Sequence, residues 1–553
     1  MRAVHISLLA AALFLAASES NAATPAAPNV TVGADIKQLA FDWDDAAGAA
    51  YYRLMYRVGS GAWKPLIDNI PASTTQAKVS VAVHLQSWSL LRYAVAACNA
   101  DGCTNSAAMF PQNLMLDAIG YVKASNADPG DRFGNTVVLS EDGRTLVVSA
   151  PQEDSNTTGI NGNQADNSSS CSGAVYVFRR LSSGWRQEAY IKADVNQPGL
   201  RFGNDLYNHR RALSINADGS LLAVGAAEKD VDGMSHAGAV YLYQRSPSGN
   251  WSLAATLQAP TPTALDRFGF SVDLSADGRT LKVDGYAPWK ASSGAPMFRS
   301  HIFIRPGSTW EYLVALAGVW DGDECENTRL SSDANYLVLI CNNFPHELPH
   351  VATYSRSGNS WFPGFDVGPV QFQYEGPRVG FALDFDASHM AMQDTRSQLR
   401  PTVGVFQRPF GGSGVHSPSP ADEDLSAPKN FGYAIALDRV ANLLAVSDIT
   451  ALEGGAGVSP VSLPGATRRG AIYMWVRREI PDSPVPGATA FYLRSVVKSP
   501  NPDDGDEFAR SLALCGSGTA LAAGAEGEDS KARGIDGDRT DNSSPDSGAV
   551  YLY

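Results

Sequence analysis

The sequence is short of basic residues and of long apolar runs. Its 43 Lys and Arg residues are outnumbered by 57 Asp and Glu residues, which gives a net charge of −14. A chain of this charge is repelled by phosphate backbones and by anionic lipid headgroups. Beyond the N-terminal segment, no stretch approaches the ~20 uninterrupted apolar residues of a membrane-spanning helix. We therefore expect neither nucleic acid binding nor membrane insertion.

Familiar catalytic motifs are absent as well. The chain has no glycine-rich phosphate loop and no G-x-S-x-G elbow, and its nine His residues are scattered. His346-Glu347-Leu348-Pro349-His350 matches the zinc-protease pattern H-E-x-x-H, which requires a helix with both His on one face. Pro349 would stand inside that helix without an N–H, so we interpret the match as a coincidence. The sequence predicts that the chain is not an enzyme.

The N-terminal segment 1–22 has the features of a secretory signal peptide. Arg2 and His5 precede the apolar run Ile6–Ala17, and Ser20 and Ala22 supply small residues at positions −3 and −1 of a cleavage site. The predicted mature chain is secreted, periplasmic or on the cell surface.

The six cysteines of an exported chain can form disulfides. Cys98 and Cys103 flank the tight turn Asn-Ala-Asp-Gly. Cys325 and Cys341 lie symmetrically about a second turn of Ser, Asp and Asn residues. We predict these two disulfides and leave Cys171 and Cys515 unpaired.

At 553 residues the chain is too long for one core, so we expect at least two folding units. Residues 25–112 consist of short alternating segments separated by turns, which is typical of a β-sandwich. Leu39–Trp43, Tyr51–Tyr56 and Tyr93–Cys98 resemble strands of a fibronectin type III domain. The resemblance implies a spacer or a docking module.

The remainder, residues 117–553, contains internal repeats. Asp131-Arg132-Phe133-Gly134 recurs in seven copies, of which two are degraded. The positions equivalent to the Phe are Phe133, Phe202, Phe268, Cys325, Val379, Phe431 and Phe508. Each copy predicts four strands, which is one blade of a β-propeller.

These repeats resemble the FG-GAP repeat of integrin α-subunit propellers. The shared elements are Phe-Gly, then Ser149-Ala150-Pro151, then Gly-Ala-Val-Tyr as in Gly173–Tyr176. The resemblance covers Ile119 to Tyr553 and implies an all-β, seven-bladed β-propeller that follows the sandwich. It also implies a role in binding or cell adhesion.

The seventh copy ends after its third strand. Residues 119–124 match the fourth strand of the first copy, Ala189–Ala193. We predict that segment 119–124 pairs with segment 548–553 and closes the ring, which removes an exposed sheet edge.

Acidic loops of the first and seventh copies match each other, and their alternating oxygen side chains around a glycine resemble a calcium loop. The candidate ligands are Glu153, Asp154, Asn161, Asn163, Asp166, Glu528, Asp529, Asp536, Asp538 and Asp541. The alternative, which we favour, is a polar loop whose Asn and Asp side chains bond their own backbone. Calcium is the only cofactor that the sequence suggests.

Together these patterns predict an exported, monomeric binding or adhesion module that recognises a protein or glycan partner through its propeller loops. The alternative is an extracellular hydrolase or lyase with its active site at the mouth of the propeller channel. The preference for a binding module over an enzyme rests on resemblance at the level of the fold alone.

Overall fold

The computed structural model describes residues 23–86, 88–204, 211–290, 296–317, 323–343, 348–364, 380–394, 402–408, 415–417, 430–451, 455–459, 469–481, 483 and 488–553. Within these ranges the fold is all-β as predicted, since the only helices are two short 3-10 turns, Val83–Leu85 and Pro111–Leu114. Neither turn has the length or the apolar character to cross a membrane. The chain divides into two compact units. The first comprises residues through 32, 40–78 and 90–111, and the second comprises 33–39, 79–89 and 112–553.

Two sheets and an aromatic core characterise the first unit. Its strands, three of which reach residues assigned to the second unit, are β1 (Val30–Asp35), β2 (Gln38–Trp43), β3 (Tyr51–Val58), β4 (Lys64–Pro71), β5 (Gln76–Ser80), β6 (Leu91–Asn99) and β7 (Gly102–Asn105). One sheet has the order β4-β3-β6-β7 and the other β1-β2-β5. Ring centroids of Phe41 and Tyr93 are 5.2 Å apart, and those of Trp43 and Tyr52 are 5.5 Å apart. The fibronectin type III-like assignment of this unit stays a prediction.

Strands of the second unit form seven sheets within the described residues. The first three sheets contain β9 (Val137–Leu139), β10 (Thr145–Ala150), β11 (Ala174–Leu181) and β12 (Gly184–Ile191); β13 (Leu213–Ile215), β14 (Leu221–Ala226), β15 (Ala239–Arg245) and β16 (Trp251–Leu257); and β17 (Ser271–Leu274), β18 (Thr280–Lys290), β19 (Pro296–Ile304) and β20 (Glu311–Leu316). The next two contain β21 (Asp323–Leu330), β22 (Tyr336–Asn343), β23 (Leu348–Ser357) and β24 (Ser360–Pro363); and β25 (Phe381–Leu383), β26 (His389–Asp394), β27 (Thr402–Gln407) and β28 (Val415–Ser417). The sixth contains β29 (Ile435–Leu437), β30 (Leu443–Asp448), β31 (Val458–Ser459), β32 (Ala471–Glu479) and β33 (Thr489–Val497). The seventh contains β34 (Ser511–Leu514), β35 (Leu521–Ala525), β36 (Ala549–Leu552) and, from the start of the unit, β8 (Gly120–Val122).

First strands of the seven sheets contact one another in cyclic order, so that β9 contacts both β13 and β34. The turns that follow these strands are joined by main-chain hydrogen bonds of 2.7 to 3.4 Å. These bonds run from Asp142 N to Ala217 O, Ala217 N to Ala276 O, Ala276 N to Ser332 O, Asp333 N to Phe385 O, Phe385 N to Arg439 O, Arg439 N to Gly516 O, and Gly516 N to Glu141 O. The series returns to its starting turn. We call this ring of hydrogen-bonded turns the turn belt.

The repeated Phe-Gly and Gly-Ala pairs explain how neighbouring sheets pack. Gly238, at the start of a third strand, has φ +84°, and a Cβ there would overlap the main-chain N and O of Phe268 in the next sheet. Gly548 lies against Phe133 in the same way. Phe133 is fully buried, and its ring packs edge-on against Tyr176 at 5.3 Å. A glycine is therefore required where one sheet meets the next.

Strand β8 pairs with β36 in antiparallel register, with Gly120 opposite Leu552, Tyr121 opposite Tyr551 and Val122 opposite Val550. The fourth strand of the seventh sheet thus comes from the beginning of the unit. The pairing leaves β36 with a neighbour on both sides, since β35 occupies its other edge.

Both predicted disulfides are present. Cys98–Cys103 joins β6 to β7, and Cys325–Cys341 joins β21 to β22. The free thiols among the described residues belong to Cys171, which is half-buried, and Cys515, which is buried.

Three features of the sequence fall wholly or partly outside the described residues, and the predicted signal peptide, segment 1–22, is the first. Val379, the marker of the fifth repeat, is the second. His346 and Glu347 of the zinc-protease match also lie outside, whereas His350 lies on β23, opposite Cys341 of β22. The second half of that motif is therefore strand and not helix.

Candidate functional site

Glu153 is the first candidate calcium ligand, and the structure places it in a buried ion pair. Its Oε2 atom lies 2.6 Å from Nζ of Lys192, and both side chains are at most 2% exposed. The Tyr190 hydroxyl donates to Oε1 of Glu153 at 2.8 Å, and Lys192 donates to Oγ of Ser172 at 2.6 Å. Burial lowers the pKa of Lys192, an effect that Glu153 opposes. The glutamate therefore anchors the loop to the fourth strand, β12.

Glu528 repeats this arrangement in the seventh sheet. Its Oε2 atom lies 2.7 Å from Nζ of Lys123, again with both side chains at most 2% exposed. The Tyr121 hydroxyl donates to Oε1 of Glu528 at 2.6 Å, and Lys123 donates to Oγ of Ser547 at 2.7 Å. We call these two four-residue groups the Lys–Glu cores of the first and seventh sheets.

The other candidate ligands accept hydrogen bonds from the main chain. Asp154 accepts from the Cys171 N–H at 2.7 Å, and Asp529 accepts from the Asp546 N–H at 2.8 Å. Four side chains cap a residue two positions ahead at 2.9 to 3.1 Å, namely Asn163, Asp166, Asp538 and Asp541. Asn161 and Asp536 accept from Tyr190 N at 2.9 Å and Tyr121 N at 3.3 Å, respectively. These contacts are those of self-capping polar loops.

The candidate ligands are distributed along the loops and do not converge on one point. Across the part of the chain that the structure describes, no three His, Cys, Asp or Glu side chains come close enough to hold a metal ion. The calcium assignment stays a prediction for which these contacts give no support.

A central channel runs between the first strands of the seven sheets. At the turn belt it widens into a cavity of about 180 Å³ lined by every sheet of the second unit. Each first strand ends in an aliphatic residue of this cavity, and these residues are Leu139, Ile215, Leu274, Leu330, Leu383, Leu437 and Leu514. The Arg439 and Glu141 side chains, 2.8 Å apart, pair at the same end.

A second cavity of about 60 Å³ lies nearer the Phe-Gly segments. Arg211 and Arg329 line both cavities, while Asp273 lines the larger one. Asp273 Oδ2 lies 3.0 Å from Nζ of the buried Lys282, which also lies 2.7 Å from Oδ2 of Asp284. We call these five residues the channel charge cluster.

Burial and neighbouring charges shift the pKa values of two groups in the channel charge cluster. Burial, together with the smaller effect of the nearby Arg329, lowers the pKa of Arg211 to about 10. Burial alone would raise the pKa of Asp273, but Lys282 and Arg329 hold it below its ordinary value. The cluster thus combines three cationic groups with two carboxylates in a water-poor setting.

The sequence did not reveal either lysine of the Lys–Glu cores or the channel charge cluster. A signal for the first existed, because the matching segments 119–124 and 189–193 both carry a Lys after Tyr-Val or Tyr-Ile. No local signal marks the cluster, since its members come from three sheets: Asp273, Lys282 and Asp284 belong to one, and the two arginines belong to two others.

The pattern of the FG-GAP repeat matches residues 121–178. This segment holds β9, β10, the first five residues of β11, the Phe-Gly pair of the first repeat and Glu153. No curated protein matches the chain in sequence.

Solved structures similar to this chain include β-propellers. A β-propeller domain from Myceliophteria thermophila is 10% identical over 59% of this chain and 94% of its own, with a TM-score of 0.30. A periplasmic gluconolactonase from Pseudomonas aeruginosa is 14% identical over 82% of this chain and 98% of its own, with a TM-score of 0.39. An oligogalacturonate lyase from Vibrio parahaemolyticus is 9% identical over 78% of this chain and 90% of its own, with a TM-score of 0.40.

The expectation that the chain is not an enzyme is contradicted by this comparison, because two of these three similar structures are enzymes. At identities of 9% and 14% and TM-scores of at most 0.40, the likeness only suggests an enzymatic function.

Proposed function

We propose that this chain is an exported, monomeric seven-bladed β-propeller, integrin α-like in its repeats, that binds a protein or glycan partner through loops of the first and seventh blades. The fibronectin type III-like unit would serve as a spacer or docking module. The observation that carries the proposal is the pair of Lys–Glu cores, because each ties a long polar loop to the outer strand of its sheet through buried contacts.

Ordered loops favour binding because little conformational freedom remains to be lost when a partner docks. Beyond the cores, the loops present exposed polar side chains that can pair with the hydroxyl groups of a glycan or the polar surface of a protein. Examples in the first loop are Asn156, Thr158, Asn163 and Asn167, and in the seventh Lys531, Asp538 and Asn542.

Export is supported by the N-terminal segment and by the two disulfides. If the signal peptide is cleaved as proposed, the mature chain begins at Ala23. Mass spectrometry of protein from the extracytoplasmic fraction tests this, and an intact Met1 would contradict it.

A glycan array and a screen of extracellular proteins, both with the mature chain, test the binding proposal. We expect the double variant Asn156→Ala, Thr158→Ala to weaken binding of any hit. Ser183→Ala is the matched control, because Ser183 is an exposed residue in the turn between β11 and β12, at the opposite end of β11 from the loop. Absence of a specific partner in both screens would contradict the proposal, as would equal effects of the two variants.

A second candidate is an extracellular hydrolase or lyase whose active site lies in the channel. The channel charge cluster favours it, because buried charged groups of perturbed pKa often mark active sites. Assays with glycoside, lactone and polyuronate substrates test it, with Asp273→Asn as the variant expected to lose activity.

A further inference from the structure

We propose that the contact between His389 and Arg477 is a pH-sensitive latch between the fifth and sixth sheets, closed while the imidazole is uncharged and released when it takes up a proton. His389 begins β26 and Arg477 lies on β32, next to the turns that form the turn belt. The latch is therefore independent of the proposed loop surface.

An arginine occupies the same position in five consecutive sheets, the second to the sixth. Its main-chain N–H donates, at 2.8 to 2.9 Å, to the carbonyl of the residue that precedes the second strand of its own sheet. These bonds run from Arg245 to Ser220, Arg305 to Arg279, Arg356 to Asn335, Arg408 to Ser388, and Arg477 to Asn442. The five arginines are thus equivalent in the repeat.

The side chains of these five arginines contact the preceding sheet, and we call the contacts the arginine clasps. Their partners differ in chemistry, being a carboxylate, an amide, a hydroxyl group, a phenol ring and an imidazole. In that order the clasps join Arg245 to Glu188 at 2.6 Å, Arg305 to Gln244 at 3.5 Å, Arg356 to Thr280 at 2.8 Å, Arg408 to the Tyr336 ring centroid at 3.8 Å, and Arg477 to His389 Nε2 at 2.7 Å. Of these five partners, the imidazole is the one whose charge changes near neutral pH.

The Arg477 clasp requires an uncharged imidazole. A guanidinium group only donates hydrogen bonds, so Nε2 of His389 accepts and carries no proton. The proton of the neutral ring is then on Nδ1, which lies 2.9 Å from Oδ2 of Asp384. Arg477 is held from its own sheet, because Nη2 donates to Val440 O at 3.1 Å and to Asn442 Oδ1 at 3.2 Å. A proton on Nε2 would replace the hydrogen bond by repulsion between two cations.

The groups around His389 allow it to take up that proton. Its side chain is 15% exposed, so protons from solvent can reach it. Burial alone would raise the pKa of Asp384, but hydrogen bonds from His389 and Ser388 hold it below its ordinary value. Asp384 therefore stays ionised and stabilises the imidazolium, whereas Arg477 opposes it. The other charged residues of the two turns and the adjoining strands are Asp386, Arg408, Asp438, Arg439 and Arg478.

Release of the latch would affect the channel. Asp384 and Asp438, which belong to the turns on either side of the clasp, both line the cavity of about 180 Å³. Loss of the Arg477 contact would loosen the channel wall between the fifth and sixth sheets. Acid would then open one junction of the ring while the other four clasps stay closed.

Hydrogen exchange of the mature chain at about pH 5 and about pH 8, corrected for intrinsic rates, tests the proposal. The reference is the Arg356–Thr280 clasp, since it has no titratable partner and it corrects for any change in global stability. Relative to that clasp, protection of amides in peptides that contain His389 or Arg477 should be about tenfold lower at the acid pH, because one charge-assisted hydrogen bond is lost. Unchanged protection, or an equal change at both clasps, would overturn the proposal.

His389→Gln should abolish the acid response, because an amide can accept from Arg477 but cannot take up a proton. His236→Gln is the control and should retain the response, since His236 is exposed and pairs with Glu228 in another sheet. If His389→Gln does not fold, Arg477→Met decides. Without the guanidinium group, protection should be low at both pH values. An acid response that persists in either His389→Gln or Arg477→Met would overturn the proposal.

Discussion

The Nζ atom of Lys123 lies 2.7 Å from Oε2 of Glu528, across 405 positions of the chain. The lysine follows β8 and the glutamate follows β35, so the ion pair reinforces the pairing of β8 with β36. Lys192 and Glu153 make the same contact within the first sheet. The same core therefore serves once as a local anchor and once as a link between distant ends of the second unit.

Lys123→Met should destabilise the protein by about 3–5 kcal/mol, because it leaves the Glu528 carboxylate buried without its partner. The double variant Lys123→Met, Glu528→Gln should recover part of that loss. Chemical denaturation measures both. Unchanged stability of the single variant would show that the ion pair contributes nothing to the free energy of unfolding.

Lys192→Met is the matched control, because it removes the equivalent ion pair within the first sheet, where that pair does not join distant ends of the second unit. It should destabilise to a similar degree, but only Lys123→Met should raise hydrogen exchange of the β8 and β36 amides. Equal exchange of those amides in the two variants would contradict a closing role for Lys123.

The repeat pattern predicted the sheets well because it is made of local contacts. Phe133 and Tyr176 are 43 residues apart yet belong to one repeat, and the strand order within it follows the chain. The lysine partners of Glu153 and Glu528 were harder to predict, because the sequence of an acidic loop does not identify the lysine that contacts it. From the sequence, calcium was a possible partner of these residues and a self-capping polar loop was the favoured alternative, whereas in the structure each glutamate pairs with a lysine side chain.

Gly238→Ala should destabilise the protein by about 2–4 kcal/mol, because the added Cβ meets the Phe268 main chain and the residue has a positive φ. Gly307→Ala is the control, since a Cβ there meets nothing within 4 Å. Thermal denaturation compares the two. Equal melting temperatures of the two variants would show that the neighbouring sheets can move slightly apart without loss of stability.

The channel charge cluster could not be predicted from the sequence for a different reason. Arg211 precedes β13, Asp273 lies on β17 and Arg329 lies on β21, so each belongs to a separate sheet. Only the cyclic order of the first strands brings the three together, and no spacing in the sequence encodes which residue of each strand faces the channel.

Calcium removal should leave the melting temperature unchanged, because Glu153 and Glu528 already face lysines and the other candidate ligands cap the main chain. Differential scanning calorimetry with EDTA and with excess CaCl2 measures this. A lower melting temperature in EDTA, reversed by calcium and abolished in Asp538→Asn, Asp541→Asn, would instead establish a calcium loop.

Stability should fall as pH rises from about 4 to 8, because two buried aspartates retain protons in the folded state. Burial raises the pKa of Asp131 to about 7 and that of Asp506 to about 8. Unfolded aspartate has a pKa of about 3.9, so over this range the unfolded chain releases protons that the folded chain holds. Each rise in pH then favours unfolding, by up to about 1.4 kcal/mol per pH unit and group.

Asp506→Asn should flatten this dependence, because an amide keeps the acceptor for the Asp503 N–H, which donates to Asp506 at 3.1 Å, but cannot titrate. Relative to wild type, the variant should gain at least about 1 kcal/mol at pH 8 and nothing at pH 4. Asp131→Asn should act in the same direction with its midpoint at lower pH, and the double variant should add the two effects, since the residues belong to separate repeats. Urea denaturation at intervals of pH measures the slopes, and parallel curves for wild type and both variants would show that neither carboxyl holds its proton in the folded state.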